Sequence, residues 1–421
     1  MFFNVSGGAY SIETLVAEVG PGLALAILIA MPIIWSVPEV LIVGELSSAV
    51  PEEGGYYAWV RRAFGGFWAF QNGWCTWMYS LVDMAIYPVL LNQYLGYFFP
   101  DLSRPVQWGV SLAMIWGAAY VNLRGAARVG LTSILSGALV LGAFLLLAIG
   151  AAPHVHHTPW VPFVAPGKHV VGSLGVGLSI ALWNYVGWDN ASTVEGEIVD
   201  ASRSYPAALA RALPLVLLAY LVPLIPALGA SDWRQWHDGG WPDIARDAIG
   251  GDFGRVVAVL LAIGGMVSAI ALFNALLMTY SRIPFAMARD GTLPRVLART
   301  DERGVPRVAV LSSAVCYSIF ALAPFADLVV ADVVLYSLAL FLEFAALVQF
   351  RRRHSHLRGA FRIPVGTGGV VALALLPVIV LGIVIALGVR DGEYAGPSLA
   401  GAAVAVLLGP VAYWLLMRRR A

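Results

Sequence analysis

The chain begins MFFNVSGGAYSIETLVAEVG (residues 1–20), an apolar segment that is interrupted at Ser6, Gly7 and Gly8. A transmembrane helix needs about 20 apolar residues in a row, so neither side of the interruption can cross a bilayer alone. Glycine permits irregular backbone, which is tolerated at membrane depth only where it is buried in protein or lines a cavity. We therefore predict two half-helices, the outer one over residues 10–19, with an unwound joint between them.

The composition predicts an integral membrane protein. Of the 421 residues, 59% are hydrophobic and 12% are charged, and the mean hydropathy is +0.78. A soluble domain usually carries about 25% charged residues. The sequence therefore predicts an all-α protein with the lipid bilayer as its surroundings. The net charge of +1 gives no indication of a nucleic-acid partner.

The sequence gives no reason to expect a metal or a cofactor. Cys75 and Cys316 lie in separate apolar stretches, where a disulfide framework or a zinc site would lack partners. His154, His156 and His157 are close in sequence, but no cysteine or acidic residue lies nearby to complete a metal site. We also find no glycine-rich loop of the kind that binds ATP.

Eleven apolar segments are long enough to span a bilayer, and the opening segment makes twelve. These spans are predicted at residues 21–49, 66–98, 105–123, 128–152, 168–198, 206–230, 253–281, 307–325, 331–350, 367–389 and 397–417. Short cytoplasmic loops collect lysine and arginine. With the C-terminus inside, 20 of the 26 basic residues fall on the cytoplasmic side. The charge pattern therefore predicts a cytoplasmic C-terminus.

The predicted span over residues 168–198 contains LWNYVGWDNASTVEGE (residues 182–197), in which an apolar run gives way to polar residues. A protein built from inverted repeats is expected to carry a second interrupted helix at this place. Gly187 is therefore either an unwound joint or a packing notch between intact helices. The polar residues around it favour the interruption.

Five segments resemble the amino acid–polyamine–organocation transporters, and most of all the plant-type polyamine uptake branch and its L-type amino acid transporter relatives. They are VSGGAYSIE, MPIIWSVPEVLIVGELSSAVPEEGGYYAWVRRAFG, LVDMAIYPVLLNQYL, LWNYVGWDNASTVEGE, and LYSLALFLEFAALVQFRRRH followed by FRIPVGTGG. The resemblance implies a LeuT-like fold of two inverted five-helix repeats plus two added helices. We assign residues 1–152 to the first repeat, 153–350 to the second, and 351–421 to the last two helices and a cytoplasmic tail.

The resemblance also implies that a small-molecule substrate lies between the broken helices 1 and 6. Free N–H groups at the start of a half-helix attract a carboxylate, and free carbonyls at its end attract an ammonium group. Aromatic rings add cation–π attraction, and an acid inside the membrane is a functional candidate. The predicted substrate-binding residues are Val5, Ser6, Gly7, Gly8, Asp83, Trp183, Asn184, Tyr185, Gly187, Trp188, Asp189 and Asn274.

Embedded acids are also candidates for a coupling proton. Asp83, Asp189 and Glu343 are predicted for this role, although Asp83 and Asp189 can instead contact a cationic substrate. For Glu343, and for Glu39, the alternative is a structural carboxyl held by hydrogen bonds. We predict either proton coupling or exchange.

Together these features predict a secondary active transporter of amino acids or polyamines, and not an enzyme, that works by alternating access in the plasma membrane. The resemblance points to polyamines, but this chain has Asn4 where the plant-type relatives carry an acid, which favours neutral amino acids or smaller amines. The alternatives are a non-transporting nutrient sensor of the same fold and, less favoured, a membrane enzyme. Because the inner half of helix 1 is short, we also expect translation to start about a dozen residues upstream.

Overall fold

The computed structural model describes residues 1–321, 329–354, 357, 359–390 and 396–418, and all regular secondary structure in these ranges is helical. The α-helices are α1 (Phe2–Val5), α2 (Ile12–Val19), α3 (Pro21–Met31), α4 (Val37–Ala49), α5 (Tyr56–Phe64), α6 (Gly66–Leu95), α7 (Arg104–Asn122), α8 (Ala126–Ala151), α9 (Val170–Trp183), α10 (Ala201–Ala230), α11 (Trp241–Ile249), α12 (Gly251–Arg289), α13 (Arg307–Phe320), α14 (Val329–Arg353), α15 (Thr367–Arg390) and α16 (Gly396–Arg418). A π-helical turn, Pro32–Ser36, joins α3 to α4, and a 3₁₀ helix, Asn190–Glu197, follows the end of α9.

The helices agree with most of the predicted spans to within a few residues. Among the described residues, the stretches both long and apolar enough to cross a bilayer are Pro21–Ala49, Ala126–His154, Ala201–Ala230, Gly251–Arg289, Thr367–Arg390 and Gly401–Arg418. The chain is therefore a multi-pass membrane protein, and the count of twelve spans remains a prediction. Residues 322–325 of one predicted span, and Arg358, Arg419 and Arg420 of the predicted cytoplasmic arginines, lie outside the described residues.

Both predicted interruptions are present. The first helix stops at Val5 and resumes as α2 at Ile12, two residues later than predicted. The second stops at Trp183, and the chain continues beyond Gly187 as a 3₁₀ helix and not as a second α-helical half. Because α9 ends before Gly187, the interpretation of this residue as a notch in an intact helix is wrong.

The two interruptions lie against each other. Gly187 has a φ of +96°, a left-handed value that favours glycine. A Cβ atom built at this position would lie 2.5 Å from the carbonyl oxygen of Asn4 and 2.8 Å from Nδ2 of Asn190. The first interruption and the second therefore approach each other so closely that only glycine fits between them.

Ion pairs of buried arginines join the helices at one end of the bundle. Arg282 is fully buried, and its Nη2 atom lies 2.7 Å from Oε1 of Glu197. Nε of Arg351 donates a hydrogen bond to Oε1 of Glu45 at 2.8 Å. We call this end the arginine-rich face and define it by residues 45–53, 61–62, 197–204, 282–290, 351–354 and 359–363.

At the opposite end, the loop between α10 and α12 lies over α2. Oδ1 of Asp238 accepts a hydrogen bond from Oγ1 of Thr14 at 3.1 Å. The backbone N–H of Gly239 donates to the fully buried Glu13 at 3.0 Å. This loop therefore covers the end of the first interrupted helix that is remote from the arginine-rich face.

We predict that Gly187→Ala destabilises the contact between the two interruptions, because the new Cβ meets Asn4 and alanine is strained at this φ. The melting midpoint of the purified protein in detergent should fall by more than about 5 °C. Gly167→Ala is the matched control, since Gly167 has a φ of +80° but a Cβ added there would have no neighbouring atom within 4 Å. Equal falls in both variants would show that backbone strain alone, without the Asn4 contact, accounts for the effect.

Candidate functional site

A cavity of about 470 Å³ lies where the two interruptions meet. It is lined by residues of the first interruption, of α6, of α9 and the segment that follows it, and of α12, together with Asp238 and Tyr336. A cavity of this size accommodates a small organic solute. The loop that carries Asp238 forms its end remote from the arginine-rich face.

The cavity contains a carboxyl group that two tyrosines hold in place. Asp83 of α6 is 8% exposed. Its Oδ2 atom accepts a hydrogen bond from the hydroxyl of Tyr280 at 2.9 Å, and its Oδ1 atom accepts one from Tyr87 at 3.2 Å. Each carboxylate oxygen has a second lone pair, so Asp83 can also accept a hydrogen bond from an ammonium group in the cavity.

In the first interruption, side chains satisfy some of the peptide groups. Oγ of Ser6 accepts a hydrogen bond from the backbone N–H of Gly8 at 3.1 Å. Oγ of Ser268 donates to the carbonyl oxygen of Gly7 at 2.6 Å. One of the N–H groups predicted to attract a substrate carboxylate is therefore already bonded within the protein.

Two carbonyl groups of the second interruption are also occupied. The hydroxyl of Tyr220 donates to the carbonyl oxygen of Asn184 at 2.6 Å. Nε1 of Trp188 donates to the carbonyl oxygen of Tyr185 at 2.8 Å. These carbonyls were predicted to receive an ammonium group, but their first hydrogen bond goes to the protein. The side chain of Asp83 is therefore better placed for that contact.

The predicted binding residues divide into two groups. Those that line the cavity are Val5, Ser6, Gly7, Asp83, Trp183, Asn184 and Gly187. Those that lie outside it are Gly8, Tyr185, Trp188, Asp189 and Asn274. The residues that line the cavity are in a position to contact a substrate, and their role in binding remains a prediction.

The residues outside the cavity have partners elsewhere. A Cβ atom at Gly8 would lie 2.7 Å from Val140, so this residue faces α8. The hydroxyl of Tyr185 donates to the carbonyl oxygen of Leu28 at 2.9 Å. The amide of Asn274 is hydrogen-bonded to side chains of α7 and α8. These residues therefore face the packing between helices and not the cavity.

An aromatic group that the sequence did not indicate lies on the side of the cavity nearer the arginine-rich face. The ring centroid of Tyr79 is 5.6 Å from that of Tyr280 and 5.4 Å from that of Tyr336, both edge to face. The three tyrosines belong to α6, α12 and α14. No spacing within one segment could have indicated that they meet. Their rings offer faces to an ammonium group.

Two of the predicted coupling residues lie beyond this aromatic group. Asp189 and Glu343 are 3% and 0% exposed, and neither lines the cavity. Asp83 alone of the three predicted coupling residues is in the cavity. A direct contact with substrate is therefore available to Asp83 and not to the other two in this conformation.

Two interrupted helices around a solute-sized cavity, within a multi-pass helical bundle, define the chain as a membrane transporter. It belongs to the amino acid permease family, whose sequence profile matches residues 1–407.

Similar proteins carry transporter names. Polyamine transporter RMV1 of Arabidopsis thaliana is 33% identical over 413 residues, which cover 97% of this chain and 83% of that protein. Polyamine transporter PUT1 of Oryza sativa subsp. japonica is 32% identical over 100% of this chain and 78% of its own length. An arginine/ornithine antiporter of Pseudomonas aeruginosa is 23% identical over 75% of this chain and 67% of its own length.

The fold also matches a solved structure. The crystal structure of MhsT in complex with L-phenylalanine has a TM-score of 0.65 at 13% identity, covering 92% of this chain and 96% of that chain. The predicted family resemblance and the LeuT-like fold are confirmed. The comparisons support the predicted transporter and not the sensor, whereas the boundaries assigned to the repeats remain predictions.

We predict that a cysteine in the cavity reacts with a small charged methanethiosulfonate reagent, because a thiol in water ionises more readily than a buried one. Ser179→Cys, on the cavity side of α9, is the test, and Ser173→Cys, buried on the same helix away from the cavity, is the control. Both are made after Cys75 and Cys316 are replaced by serine. We expect the first to be labelled at least about tenfold faster, as measured by mass spectrometry. Equal rates would contradict the cavity.

Proposed function

We propose that this chain is a secondary active transporter of amine-bearing cations, and of polyamines in particular, that works by alternating access. The observation that carries the proposal is the charge of the cavity. Of the described residues that line it, Asp83 and Asp238 carry a carboxyl group and none carries a cationic side chain. Such a lining attracts ammonium groups and disfavours carboxylates. The relatives named as polyamine transporters support the same substrate class.

Asp83 is the proposed contact for one ammonium group of the substrate. Its hydrogen bonds to Tyr280 and Tyr87 fix the direction of the carboxyl group. The ring of Trp183, which also lines the cavity, can add cation–π attraction of roughly 0.5–2 kcal/mol. The remaining predicted residues that line the cavity, at the two interruptions, are proposed to shape the pocket around the carbon chain of the amine.

The two carboxyl groups lie at different depths, which bears on the length of the substrate. Asp83 and Gln93 are both on α6, and their separation in sequence corresponds to a rise of about 15 Å. Gln93 packs within 2.9 Å of a Cβ built at Gly239, next to Asp238. The terminal nitrogens are about 6 Å apart in extended putrescine and about 16 Å apart in spermine, with single bonds of roughly 1.5 Å. We propose that Asp238 receives the far ammonium group of a long polyamine.

Cationic amino acids are the second candidate class. The relative named as an arginine/ornithine antiporter favours them. Their carboxylate would need a donor in the first interruption, where the N–H of Gly8 already bonds Ser6. Polyamines have no carboxylate and need no such hydrogen-bond donor, and we therefore rank them first.

The proposal also covers the orientation of the transporter, the membrane that contains it and the driving force for transport. The arginine-rich face is proposed to lie in the cytoplasm together with the C-terminus, since short cytoplasmic loops collect arginine, and the membrane is proposed to be the plasma membrane. Transport is driven by a proton gradient or by exchange of one amine for another. The surrounding partner is the lipid bilayer, and no cofactor or enzymatic step is invoked.

The direct test is counterflow in proteoliposomes that contain the purified full chain. Vesicles are loaded with unlabelled substrate, and the uptake of radiolabelled putrescine, spermidine, spermine, arginine and leucine is measured. We expect rapid uptake of the polyamines, slower uptake of arginine and none of leucine. Counterflow of leucine alone would refute a cationic substrate, and binding without any counterflow would favour a sensor.

We predict that Asp238→Asn weakens the transport of long polyamines selectively. Loss of one partly exposed charge contact should raise the KM for spermine by roughly 3- to 10-fold, equivalent to about 1 kcal/mol, with little effect on putrescine. Asp83→Asn should impair all amines. Asp243→Asn, an exposed acid of the same loop outside the cavity, is the control and should change neither. The same loss for putrescine as for spermine would contradict the proposed role of Asp238.

A further inference from the structure

Three buried carboxyl groups meet on the side of the cavity that faces the arginine-rich face. Glu39 of α4, Asp189 after the end of α9, and Glu343 of α14 are 0%, 3% and 0% exposed. The hydroxyl of Tyr336 on α14 is hydrogen-bonded both to Glu39 and to the backbone of Gly187, two residues before Asp189, and Glu343 lies two turns further along the same face of α14. The charges of the three carboxyl groups repel one another when the groups are ionised. We call these three residues the carboxyl cluster. It brings together segments that lie far apart in sequence.

The carboxyl cluster has few partners for its oxygens. The hydroxyl of Tyr336 donates to Oε1 of Glu39 at 3.2 Å. Oε2 of Glu39, Oδ1 of Asp189 and both oxygens of Glu343 are buried without a well-formed hydrogen bond to the described residues. Trp35 lies near Glu39, and Asn72 lies near Glu343. Among the described residues, these four buried carboxylate oxygens therefore lack the hydrogen bonds that buried carboxylates normally accept.

No positive charge compensates the cluster. Within the described part of the chain, no ion pair includes any of its three members. Nor is any group of three acidic, histidine or cysteine residues in that part arranged to hold a metal ion. An isolated carboxylate in a membrane protein costs several kcal/mol. Three adjacent ones can remain in the interior only if protons neutralise most of them.

The groups that face the cluster from the surrounding elements cannot supply a positive charge either. They are Tyr56 of α5, Tyr79 of α6, Tyr205 of α10 and Tyr336 of α14, and Tyr205 also lies near the carboxyl group of Glu195. The tyrosines can form a hydrogen-bonded wall without adding charge. A change in the charge of the cluster must therefore come from the gain or loss of protons.

The cluster is connected to both the cavity and the arginine-rich face. Tyr336 lines the cavity, and its hydroxyl accepts a hydrogen bond from the N–H of Gly187 at 3.4 Å while it donates to Glu39. Toward the other side, Glu195 is 1% exposed and both its oxygens lack a well-formed hydrogen bond to the described residues, with Ser47 nearby. It lies on the 3₁₀ helix that also carries Glu197, the partner of Arg282.

We propose that the carboxyl cluster is the binding site of the coupling proton, and that Glu195 relays this proton between the cluster and the arginine-rich face. The cluster holds one more proton in one state of the transport cycle than in the other. That proton passes to the carboxylate of Glu195 and from there to water, and the same path in reverse restores it. The inference rests on the proposed transport function and adds a site that does not touch the substrate.

A rearrangement of the second interruption changes the number of protons that the carboxyl cluster binds. Asp189 follows Gly187 by two residues, whereas Glu39 and Glu343 stand on continuous helices. A rearrangement of the interruption during alternating access therefore changes the distance of Asp189 from the other two carboxyl groups. Separation lowers their mutual repulsion and favours release of a proton, and approach favours its uptake.

The test compares two kinds of transport by the full chain in proteoliposomes. Counterflow needs no net proton movement, whereas accumulation driven by a pH gradient does. With the membrane potential clamped, a gradient of one pH unit should support about tenfold accumulation of spermidine at one proton per amine. Glu39→Gln, Asp189→Asn and Glu343→Gln should each keep counterflow within about threefold of wild type and lose the accumulation. Retained counterflow also shows that each variant is folded.

Glu13→Gln is the matched control, because Glu13 is equally buried but lies under the loop at the opposite end of the bundle. It should keep the pH-driven accumulation. The inference is overturned if all three cluster variants still accumulate spermidine tenfold, or if those that elute as monodisperse protein lose counterflow as well. Absence of counterflow in the wild type would instead refute the proposed transport function, so the two failures are distinguishable.

Discussion

Peptide groups that leave a helix inside a membrane must find new hydrogen-bond partners, and this constraint organises the centre of the transporter. Ser268 of α12 bonds the carbonyl of Gly7, and Tyr220 of α10 bonds the carbonyl of Asn184. The interruptions are thus tied to long helices on either side. A rearrangement of an interruption must either break these hydrogen bonds or move the bonded helices with it. The centre of the transporter can therefore adopt only a small number of conformations, as alternating access requires.

Buried charges follow two different rules in this fold. At the arginine-rich face, Arg282 and Arg351 are buried with carboxylate partners, so that charge is compensated inside the protein. Nearer the cavity, Asp83 is hydrogen-bonded to neutral side chains, and the carboxyl cluster has few hydrogen-bond partners among the described residues. A buried pair contributes to the fold whatever the solution contains. An unpaired acid is compensated only by a proton or a cation from outside, which makes such an acid a candidate for a functional role.

The sequence predicted the two interruptions well, because glycine next to polar residues is unfavourable in an unbroken helix that faces lipid. It also indicated Asp83, which lines the cavity, since one acid in an apolar span stands out; the role of Asp83 remains a prediction. It could not predict which side of each irregular segment faces the cavity, so Gly8 and Tyr185 were expected there and lie elsewhere. The meeting of Tyr79 with Tyr336, or of Glu39 with Glu343, depends on how distant helices pack, and periodicity within one segment carries no such information.

The substrate cavity and the carboxyl cluster share one structural element, and this is what allows one to influence the other. Gly187 fits against the backbone of Asn4 on the cavity side and donates to Tyr336, which in turn donates to Glu39. An amine held at Asp83, as proposed, would lie in the same cavity as Gly187 of the second interruption, two residues before Asp189. If the interruption must rearrange to release the amine, the carboxyl groups of the cluster must rearrange with it. Binding and protonation are then linked through geometry, without direct contact between the amine and the proton.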